Sequence, residues 1–440
     1  MGASGTDNHV PRMRPLPQRR ASIVSVLDIG STKICCMIAR LKPRELADSL
    51  PGRTHSVEIL GYGYQRSRGI KSGVVVDLDQ AEQAIRLAVD AAERMAGMTV
   101  ESLIVTLTAG RLASDTFSAS VALGNVEIED SSIQRVLAAG SAQRVSDDRV
   151  VVHSMPIGYA LDGNRGIADP RGMMGNRLGV DMHVVTADSA PVRNLELCVN
   201  RCHLQVETIV AAPYSAGLAC LADDEAELGV ACVDMGGGTT TISVFADGHC
   251  VHVDGIALGG HHVTMDLARG LSTRLQDAER LKTLHGSALA GDTDERDLLT
   301  ITPVGDEGDV PHSMPRAMLT KIIRPRIEET MELVRDRLNA SGFAGRVGRR
   351  IVLTGGASQM TGNAEVARRI FGRNVRLGRP LGITGMPEAA KGPAFSASVG
   401  LIVYPQIGQI EQFEPRRATP RNTGTGGYLS RVGQWFKESF

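Results

Sequence analysis

The chain has 440 residues, with 48 lysine and arginine residues against 49 aspartate and glutamate residues, and a formal net charge of −1. This length suffices for roughly three domains with sizeable cores, and the balanced charge gives no electrostatic reason to expect a nucleic-acid partner. No apolar run reaches the ~18 residues of a transmembrane helix, and no apolar core of a secretory signal follows the N-terminal arginines.

The seven cysteines form no Cys-x-x-Cys pair, and several lie within apolar runs. Cys198, Cys202 and His203 resemble a fragment of a metal site, but the sequence offers no second cluster at ligand spacing. We therefore expect buried thiols that behave as small hydrophobic side chains in a reducing cytoplasm.

A first candidate site follows the N-terminal segment. Residues 1–21 are rich in proline, arginine and small polar residues, which predicts a disordered basic tail. Residues 23–27 form an apolar run that predicts a strand, and the run ends in Asp28. The turn after it contains small and hydroxyl-bearing residues and a lysine: Gly30, Ser31, Thr32 and Lys33. Glycines let backbone N–H groups approach a ligand closely, so this turn is a candidate phosphate site. Lys33 either neutralises phosphate charge or is an ordinary solvated residue.

The next elements are predicted from periodicity and turn residues. They are strands at 57–64 and 69–77, a helix at 79–95 and a strand at 102–107. From residue 108 to about 182 the pattern changes to short strands, at 116–123 and 150–159, around a helix at 130–142. This texture predicts a small α+β module inserted into the first domain. The main pattern resumes with a strand at 183–186, a helix at 190–202 and a strand at 204–210.

A second hairpin repeats the first. Residues 230–233 are apolar and end in Asp234, and glycines and threonines follow: Gly236, Gly237, Gly238, Thr239 and Thr240. Each turn would bind the β- and γ-phosphates of a nucleotide, and each aspartate, Asp28 and Asp234, would hold Mg²⁺ largely through water. Two ordinary β-turns are the alternative.

Three further loops suit a nucleotide. Gly259 and Gly260 precede a helix N-terminus, which favours phosphate. A loop after the strand at 350–353 contains glycines that suit close packing against a base or ribose: Gly355, Gly356 and Ala357. Glu279 and Lys282 lie three residues apart on one helix face and can reach sugar hydroxyls or a base edge, or form a surface ion pair.

The C-terminal region contains the second functional pattern. Residues 405–427 lack periodicity, which predicts a flexible linker. Residues 428–440 place their large apolar side chains on one helical face: Tyr428, Leu429, Val432, Trp435, Phe436 and Phe440. At ~1.5 Å per residue this helix is too short to span a bilayer, so we predict that it lies in the membrane interface. The alternative is a helix that docks onto the protein's own core.

The two Asp-Gly-Ser/Thr hairpins resemble the nucleotide site of the actin-like ATPase superfamily. Two further features resemble one family within this superfamily, the FtsA family of bacterial cell-division proteins. They are the inserted module, in particular the residue pattern of its segment 154–187, and the C-terminal amphipathic helix. This resemblance implies an α/β actin-like fold of two ribonuclease-H-like domains around a nucleotide cleft, with an inserted α+β subdomain 1C and a C-terminal amphipathic helix. It also implies ATP and Mg²⁺ as cofactors, with Glu279 and Lys282 bordering the nucleoside.

The resemblance further implies a division of the chain and a set of partners. The subdomains are 1A at 22–107 and 183–212, 1C at 108–182, 2A at 213–272 and 326–404, and 2B at 273–325. The implied partners are FtsZ at subdomain 2B, other copies of the chain in filaments, other division proteins at subdomain 1C, and inner-membrane lipids. The implied location is the cytoplasmic face of the inner membrane at the division septum.

One departure from the superfamily bears on hydrolysis. In hydrolytic members a glutamate or glutamine, in most of them just before a proline, orients the attacking water, and the matching pair here is Ala212-Pro213. Alanine cannot polarise water, so we expect ATP binding with slow or negligible hydrolysis, unless another carboxylate such as Glu207 takes over. A PilM-type assembly adaptor and a sugar-kinase-like enzyme of the same fold are the alternatives.

Overall fold

The computed structural model describes residues 9–11, 13, 16–17, 19–44, 53–108, 110–141, 145–304 and 311–407. The helix predicted for 428–440, and all but the first three residues of the linker predicted for 405–427, lie outside these ranges. Those first three residues belong to a helix that continues through Pro405 to Ile407. No helix in the described ranges combines the length and apolar character needed to cross a membrane.

The first half of the chain begins with an antiparallel meander and a helix. Its elements are β1 Ser22–Ile29, β2 Lys33–Pro43, β3 His55–Arg66, the short β4 Ile70–Lys71 and β5 Val74–Val75, α1 Leu78–Ala96 and β6 Ser102–Leu107. The α1 helix forms where predicted because its alanines, Ile85 and Val89 repeat on one buried face. Asp77 accepts a hydrogen bond from the Gln80 N–H at its start, and Gly97 ends it with φ of 68°.

An inserted subdomain follows β6. It consists of β7 Ala113–Glu127, α2 Asp130–Ser141, β8 Arg149–Leu161, β9 Asn164–Ile167 and β10 Met174–Asp188. The strands form a separate sheet in the order β7-β10-β8-β9. One face of α2 (Ile133, Val136 and Leu137) packs against Leu178 and Val180 of β10, which gives the subdomain its own core. The strand predicted for 183–186 is the last part of β10, so the predicted boundary between residues 182 and 183 falls inside a continuous strand.

The remaining elements complete the first half and build the second. They are α3 Ser189–Arg201, β11 Gln205–Ala211, α4 Ala212–Cys220, α5 Asp223–Leu228, β12 Val230–Met235, β13 Thr240–Ala246, β14 His249–Ile256, α6 Gly260–Gly270, α7 Leu275–His285, β15 Leu298–Ile301, β16 His312–Pro315, α8 Ala317–Ala340, β17 Arg350–Thr354, α9 Asn363–Phe371, β18 Asn374–Leu377, β19 Ile383–Thr384 and α10 Ser396–Ile407.

The two main sheets share one plan. In the first, β1, β2 and β3 pair antiparallel and β1, β6 and β11 pair parallel. In the second, β12, β13 and β14 pair antiparallel and β12, β17 and β18 pair parallel. Because the plan is the same, β1 and β12 occupy equivalent central positions, and the aspartates near their carboxyl ends are equivalent as well.

Two helices pack against each other between the sheets. The Ser215 hydroxyl of α4 donates to the Ala397 carbonyl of α10 at 2.6 Å. A Cβ at Gly400 would overlap the Ser215 backbone, so this close approach requires glycine.

β19, which precedes α10, pairs with β3 of the first sheet. The assignment of all of 326–404 to subdomain 2A is therefore wrong for β19, because a C-terminal strand completes the N-terminal sheet.

The N-terminal segment also differs from the prediction. Val10, Met13 and Leu16 are buried and belong to the core of the first half. The Val10 N–H donates to the Val151 carbonyl in the inserted subdomain at 3.1 Å. The expectation of a disordered tail is thus wrong for the described residues 9–11, 13, 16 and 17, because three apolar side chains among them are buried against the fold.

All seven cysteines are buried, as predicted. Burial raises the pKa of Cys198 to about 11 and that of Cys202 to about 12. These thiols are therefore protonated at neutral pH and act as small hydrophobic side chains.

A buried histidine joins the inserted subdomain to the second sheet. His183 of β10 contacts the Cys250 carbonyl of β14 through Nδ1 at 2.7 Å and the Ser114 hydroxyl of β7 through Nε2 at 2.5 Å. Since a carbonyl only accepts, Nδ1 carries a proton, and burial, which disfavours the charged form, makes the imidazole neutral. Burial lowers the pKa of His183 to about 3; the Cys250 bond opposes this shift, and nearby His252 and His153 add to it.

This histidine predicts an acid dependence of stability. An unfolded histidine takes up a proton below about pH 6.5, whereas folded His183 does so only near pH 3, so the folded state loses about 1.4 kcal/mol per pH unit between these values. We expect His183→Gln, which keeps a donor and an acceptor, to gain about 2 kcal/mol of unfolding free energy relative to the parent between pH 7 and pH 5. Urea unfolding at both pH values measures this gain.

The matched control is His203→Asn. His203 is exposed and has φ of 63°, a conformation that asparagine tolerates. We expect this substitution to change the unfolding free energy by the same amount at pH 7 and at pH 5. Equal stability differences for His183→Gln at pH 7 and pH 5 would contradict the assignment of a neutral, buried imidazole.

Candidate functional site

Asp28 lies near the end of β1 and is held by two hydroxyl groups. The Thr106 hydroxyl of β6 donates to Oδ1 at 3.0 Å, and the Ser398 hydroxyl of α10 donates to Oδ2 at 2.8 Å. The Ile29 N–H donates in turn to the Thr106 hydroxyl at 3.0 Å. The Asp28 side chain is buried and its carboxylate is fixed on both oxygens.

Asp234 occupies the equivalent position in the second sheet. β12 places it beside Thr354 of parallel β17, and its side chain is only partly exposed. Burial raises the pKa of Asp234 to about 7, the charge of Asp28 adds to the increase, and Lys33 opposes it. No donor in the described ranges forms a hydrogen bond to this carboxylate, in contrast to Asp28.

The two predicted turns meet. Each is closed by a backbone hydrogen bond, from Gly30 N to the Lys33 carbonyl and from Gly236 N to the Thr239 carbonyl. A Cβ at Gly237 would overlap the Thr32 hydroxyl, and a Cβ at Gly238 would lie 2.5 Å from the Ser31 hydroxyl oxygen. The structure therefore brings both turns together, and only glycine permits this contact.

The start of α6 lies against the second turn. The Gly260 and His261 N–H groups donate to the Gly236 and Gly237 carbonyls at 3.0 and 2.8 Å. Thr240 of the same turn is buried, and its hydroxyl donates to the Leu258 carbonyl at 2.8 Å. Contrary to a role as a phosphate donor, the Thr240 hydroxyl is thus engaged within the protein.

Glu279 and Lys282 of α7 lie next to the start of α6. Their side chains form an ion pair at 2.7 Å, and Lys282 Nζ also donates to the Thr264 hydroxyl and the Gly260 carbonyl at 2.8 and 3.0 Å. Burial alone would raise the pKa of Glu279, but the hydrogen bonds from Lys282 and Thr264 lower it overall. The ion pair of the alternative therefore exists: Glu279 is half exposed, whereas Lys282 is largely buried at the α6–α7 contact next to Gly260.

The predicted glycine loop after β17 closes the site. Gly355 has φ of 83°, and a Cβ on it would overlap the Asp234 carboxylate. A Cβ at Gly260 would lie 3.1 Å from the Ala357 Cβ, so this loop reaches α6. Buried Asn363 donates to the Ala357 carbonyl at 2.8 Å and holds the loop in place.

Lys33 is directed toward the segment before α10. Its Nζ donates to the Ala394 carbonyl and lies 4.4 Å from the centre of the Phe395 ring. A cation over an aromatic face is attracted by the ring. Lys33 is thus neither a free phosphate ligand nor an ordinary solvated residue, because it ties the first turn to the C-terminal part of the fold.

Ala212 occupies the position at which a water-orienting glutamate was expected in hydrolytic relatives. β11 ends at Ala211, and α4 begins at Ala212, with Pro213 next and both residues buried. Glu207 accepts a hydrogen bond from Ser102 at 3.5 Å, at the start of β6, whereas Thr106 next to Asp28 lies at the other end of that strand. Glu207 therefore sits away from the two turns.

Sequence reasoning missed Thr106 and Ser398. Each is a buried hydroxyl residue flanked by apolar residues, in SLIVTL of β6 and SASVGLIV of α10. A buried polar side chain needs a hydrogen-bond partner. The presence of a hydroxyl residue among buried apolar residues was therefore the signal that could have indicated a role for each of them. The identity of the partner was not readable, because Asp28 lies far from both in the chain.

These residues fit a phosphate chain with a magnesium ion. Within the described ranges no three His, Cys, Asp or Glu side chains cluster as metal ligands. Mg²⁺ is commonly held by one or two carboxylates, phosphate oxygens and its own waters, which is the donor set that Asp28, Asp234 and a bound phosphate chain would supply. A cation between the two carboxylates would also remove their mutual repulsion.

Comparisons with known proteins give the relationships of the chain. A family model described as "Cell division protein FtsA" matches residues 231–400, and one described as "SHS2 domain inserted in FTSA" matches residues 109–186. Proteins named cell division protein FtsA are 61% identical in Agrobacterium fabrum and 59% identical in Rhizobium meliloti, each covering 98% of both chains. The Escherichia coli K12 protein of that name is 31% identical and covers 95% of this chain and 98% of its own.

Two solved structures resemble the fold. The PilM-PilN type IV pilus biogenesis complex matches with a TM-score of 0.59 and 14% identity, covering 89% of this chain and 99% of that chain. An MreB protein of Spiroplasma citri bound to ADP matches with a TM-score of 0.52 and 13% identity, covering 90% and 100%. Together with the two family models, these similarities confirm the predicted actin-like fold with an inserted subdomain.

The contact between Gly355 and Asp234 predicts a sharp difference between neighbouring glycines. Gly355→Ala requires both a positive φ and an overlap with Asp234, so we expect a loss of about 1–3 kcal/mol of unfolding free energy. Gly356→Ala is the control, since its Cβ would meet no atom closer than 3.7 Å; a change within about 0.5 kcal/mol is expected. Chemical denaturation compares the two, and equal losses would refute the described packing.

Proposed function

The chain belongs to the FtsA family of cell division proteins, and from this premise we propose that it binds ATP and Mg²⁺ in the cleft and tethers FtsZ filaments to the membrane. The observation that carries the nucleotide part is the contact of two glycine turns, each next to a strand-end carboxylate. Equivalent halves of one fold have met to form one site, which favours a ligand with phosphates and a cation over two unrelated turns.

The residues would divide the work as follows. Asp28 and Asp234 would hold the waters of Mg²⁺, and the N–H groups inside the two turns, at residues 31–32 and 237–239, would bind the phosphates. The loop at 355–357, with Glu279 and Lys282, would border the nucleoside, and Gly259 and Gly260 at the start of α6 would lie near the phosphates. The bound ion supplies positive charge that neutralises the phosphates and both carboxylates. Lys33 adds a further positive charge next to Asp234, which matches its lowering effect on the pKa of that carboxyl group.

Hydrolysis is slow in this proposal. The position that would orient an attacking water is Ala212, and Glu207 is held by Ser102 at the far end of β6. A nucleotide that persists in the cleft acts as a switch for conformation and for assembly into filaments rather than as a fuel for chemistry.

We expect tight binding of ATP with Mg²⁺ together with a turnover far below the ~1 per second that marks the lower end of ordinary enzymes. Fluorescent ATP reports binding, and phosphate release reports turnover. Asp234→Asn is the control that should lose binding, because it removes one of the two charges that hold the ion. A turnover above ~1 per second in the parent protein would contradict the assignment of Ala212.

The membrane part of the proposal depends on residues 428–440, which lie outside the described residues. Their apolar face, with the single tryptophan of the chain, and the basic residues Arg431 and Lys437 suit an interfacial helix on anionic lipid. One such helix binds weakly, so assembly of several copies would increase the avidity. The proposed FtsZ contact is subdomain 2B, at residues 273–325, and the proposed contact with other division proteins is the inserted subdomain.

The family favours this function over the alternatives. A relative that is 61% identical over 98% of both chains is named a cell division protein. The pilus biogenesis complex is only 14% identical, so its similarity supports the fold alone. A sugar-kinase-like enzyme would have no use for an amphipathic C-terminal helix. The location that follows is the cytoplasmic face of the inner membrane at the division septum.

Sedimentation with anionic vesicles tests the tether. The full chain should sediment with vesicles and bring added FtsZ with it, and removal of residues 428–440 should abolish both effects. Trp435→Ser on the apolar face should weaken sedimentation several-fold, whereas its neighbour Gln434→Ser on the polar face should not. Undiminished sedimentation after the deletion would show that another part of the chain binds lipid.

A further inference from the structure

We propose that Thr106 and Ser398 are positioning residues that orient the Asp28 carboxylate toward the magnesium ion, and that Ser398 makes this orientation depend on the docking of α10. The inference rests on the proposed nucleotide function. It assigns a role to two residues that lie far from the glycine turns in the sequence and that no motif marks.

The two hydroxyl groups leave Asp28 no freedom. Thr106 donates to Oδ1 at 3.0 Å and Ser398 donates to Oδ2 at 2.8 Å. Both hydroxyl residues are buried, with exposed fractions of 1% for Thr106 and 0% for Ser398. A hydroxyl has one proton, so both protons are committed to the carboxylate. Thr106 also accepts the Ile29 N–H at 3.0 Å, which fixes the direction in which it can donate.

The two donors come from different places in the fold. Thr106 belongs to β6, the strand next to β1 in the same sheet. Ser398 belongs to the first turn of α10, and Ser396 on that turn contacts the Thr354 hydroxyl at 2.7 Å. Thr354 pairs with Asp234 across β12 and β17. One helical turn therefore contacts Asp28 directly and the neighbour of Asp234 in the other sheet.

This arrangement couples the two halves of the cleft. A cation held between the sheets needs both carboxylates in fixed orientations, because Mg²⁺ demands near-ideal octahedral geometry. The Asp28 orientation is set partly from within its own sheet and partly by α10, so a displaced α10 would release Oδ2. In metal sites generally, loss of a partner that orients a ligating carboxylate costs about 10–100-fold in metal affinity.

A purely structural role makes a different prediction. If the hydroxyls only compensate for burial of the Asp28 charge, their removal lowers stability but leaves the magnesium dependence of ATP binding unchanged. The decisive quantity is the Mg²⁺ concentration that gives half-maximal binding of fluorescent ATP, compared with the ATP affinity at saturating Mg²⁺.

We expect Ser398→Ala to raise the half-saturating Mg²⁺ concentration about tenfold or more, while ATP affinity at saturating Mg²⁺ stays within about twofold. Thr106→Val, which keeps the shape of the side chain, should have the same effect, and Thr106→Ser should restore the parent value. Thr330→Val is the matched control, because it removes a buried hydroxyl that donates to the Arg326 carbonyl of its own helix, α8, and contacts neither carboxylate.

Thermal unfolding of every variant separates stability from binding. If the parent protein fails to bind ATP, or binds it without magnesium, the proposed function is wrong. If the parent binds with magnesium but Ser398→Ala and Thr330→Val share one magnesium dependence, the positioning role is wrong while the proposed function stands. Should Ser398→Ala fail to fold, the Thr106→Val and Thr106→Ser pair decides the question by the same measurement.

Discussion

The structure depends on the placement of two like charges at one cleft. Asp28 and Asp234 repel each other, and together with burial this repulsion raises the pKa of Asp234 to about 7. Such a pair is costly unless hydrogen bonds, nearby positive charge or a cation offsets it. Asp28 receives two hydroxyl donors, and Lys33 supplies positive charge near Asp234. These polar contacts stabilise both carboxylates at the cleft.

The equivalence of the two sheets explains why the carboxylates meet. Each sheet contains three antiparallel strands and two further parallel ones, and β19 extends the first sheet at its edge, so β1 and β12 have corresponding positions. The aspartates near their carboxyl ends point to the same cleft only because α4 and α10 pack between the sheets. Gly400 allows the backbones of these helices to approach closely. A larger residue would separate the helices and with them the two turns.

Regular elements with a local apolar pattern were predictable. The α1 helix follows from its one-sided periodicity and the β12 strand from a continuous apolar run, and the structure places both within two residues of the expected bounds. The prediction failed where distant parts of the chain complete an element. β19 is two residues long and exists because β3 offers a free edge. The buried Val10, Met13 and Leu16 were hidden by a composition rich in proline and arginine.

The amino-acid sequence by itself determined the chemical inventory of this protein. The order of aspartate, glycine and hydroxyl residues in each turn is local, and so are the alanine at position 212 and the amphipathic pattern at 428–440. The tertiary structure alone decided which groups act together. Thr106 and Ser398 lie 78 and 370 residues from Asp28 in the chain, yet both donate to its carboxylate. Local patterning reports which face of a strand or helix is buried, but the partner of a buried polar group is chosen by the packing of the whole chain.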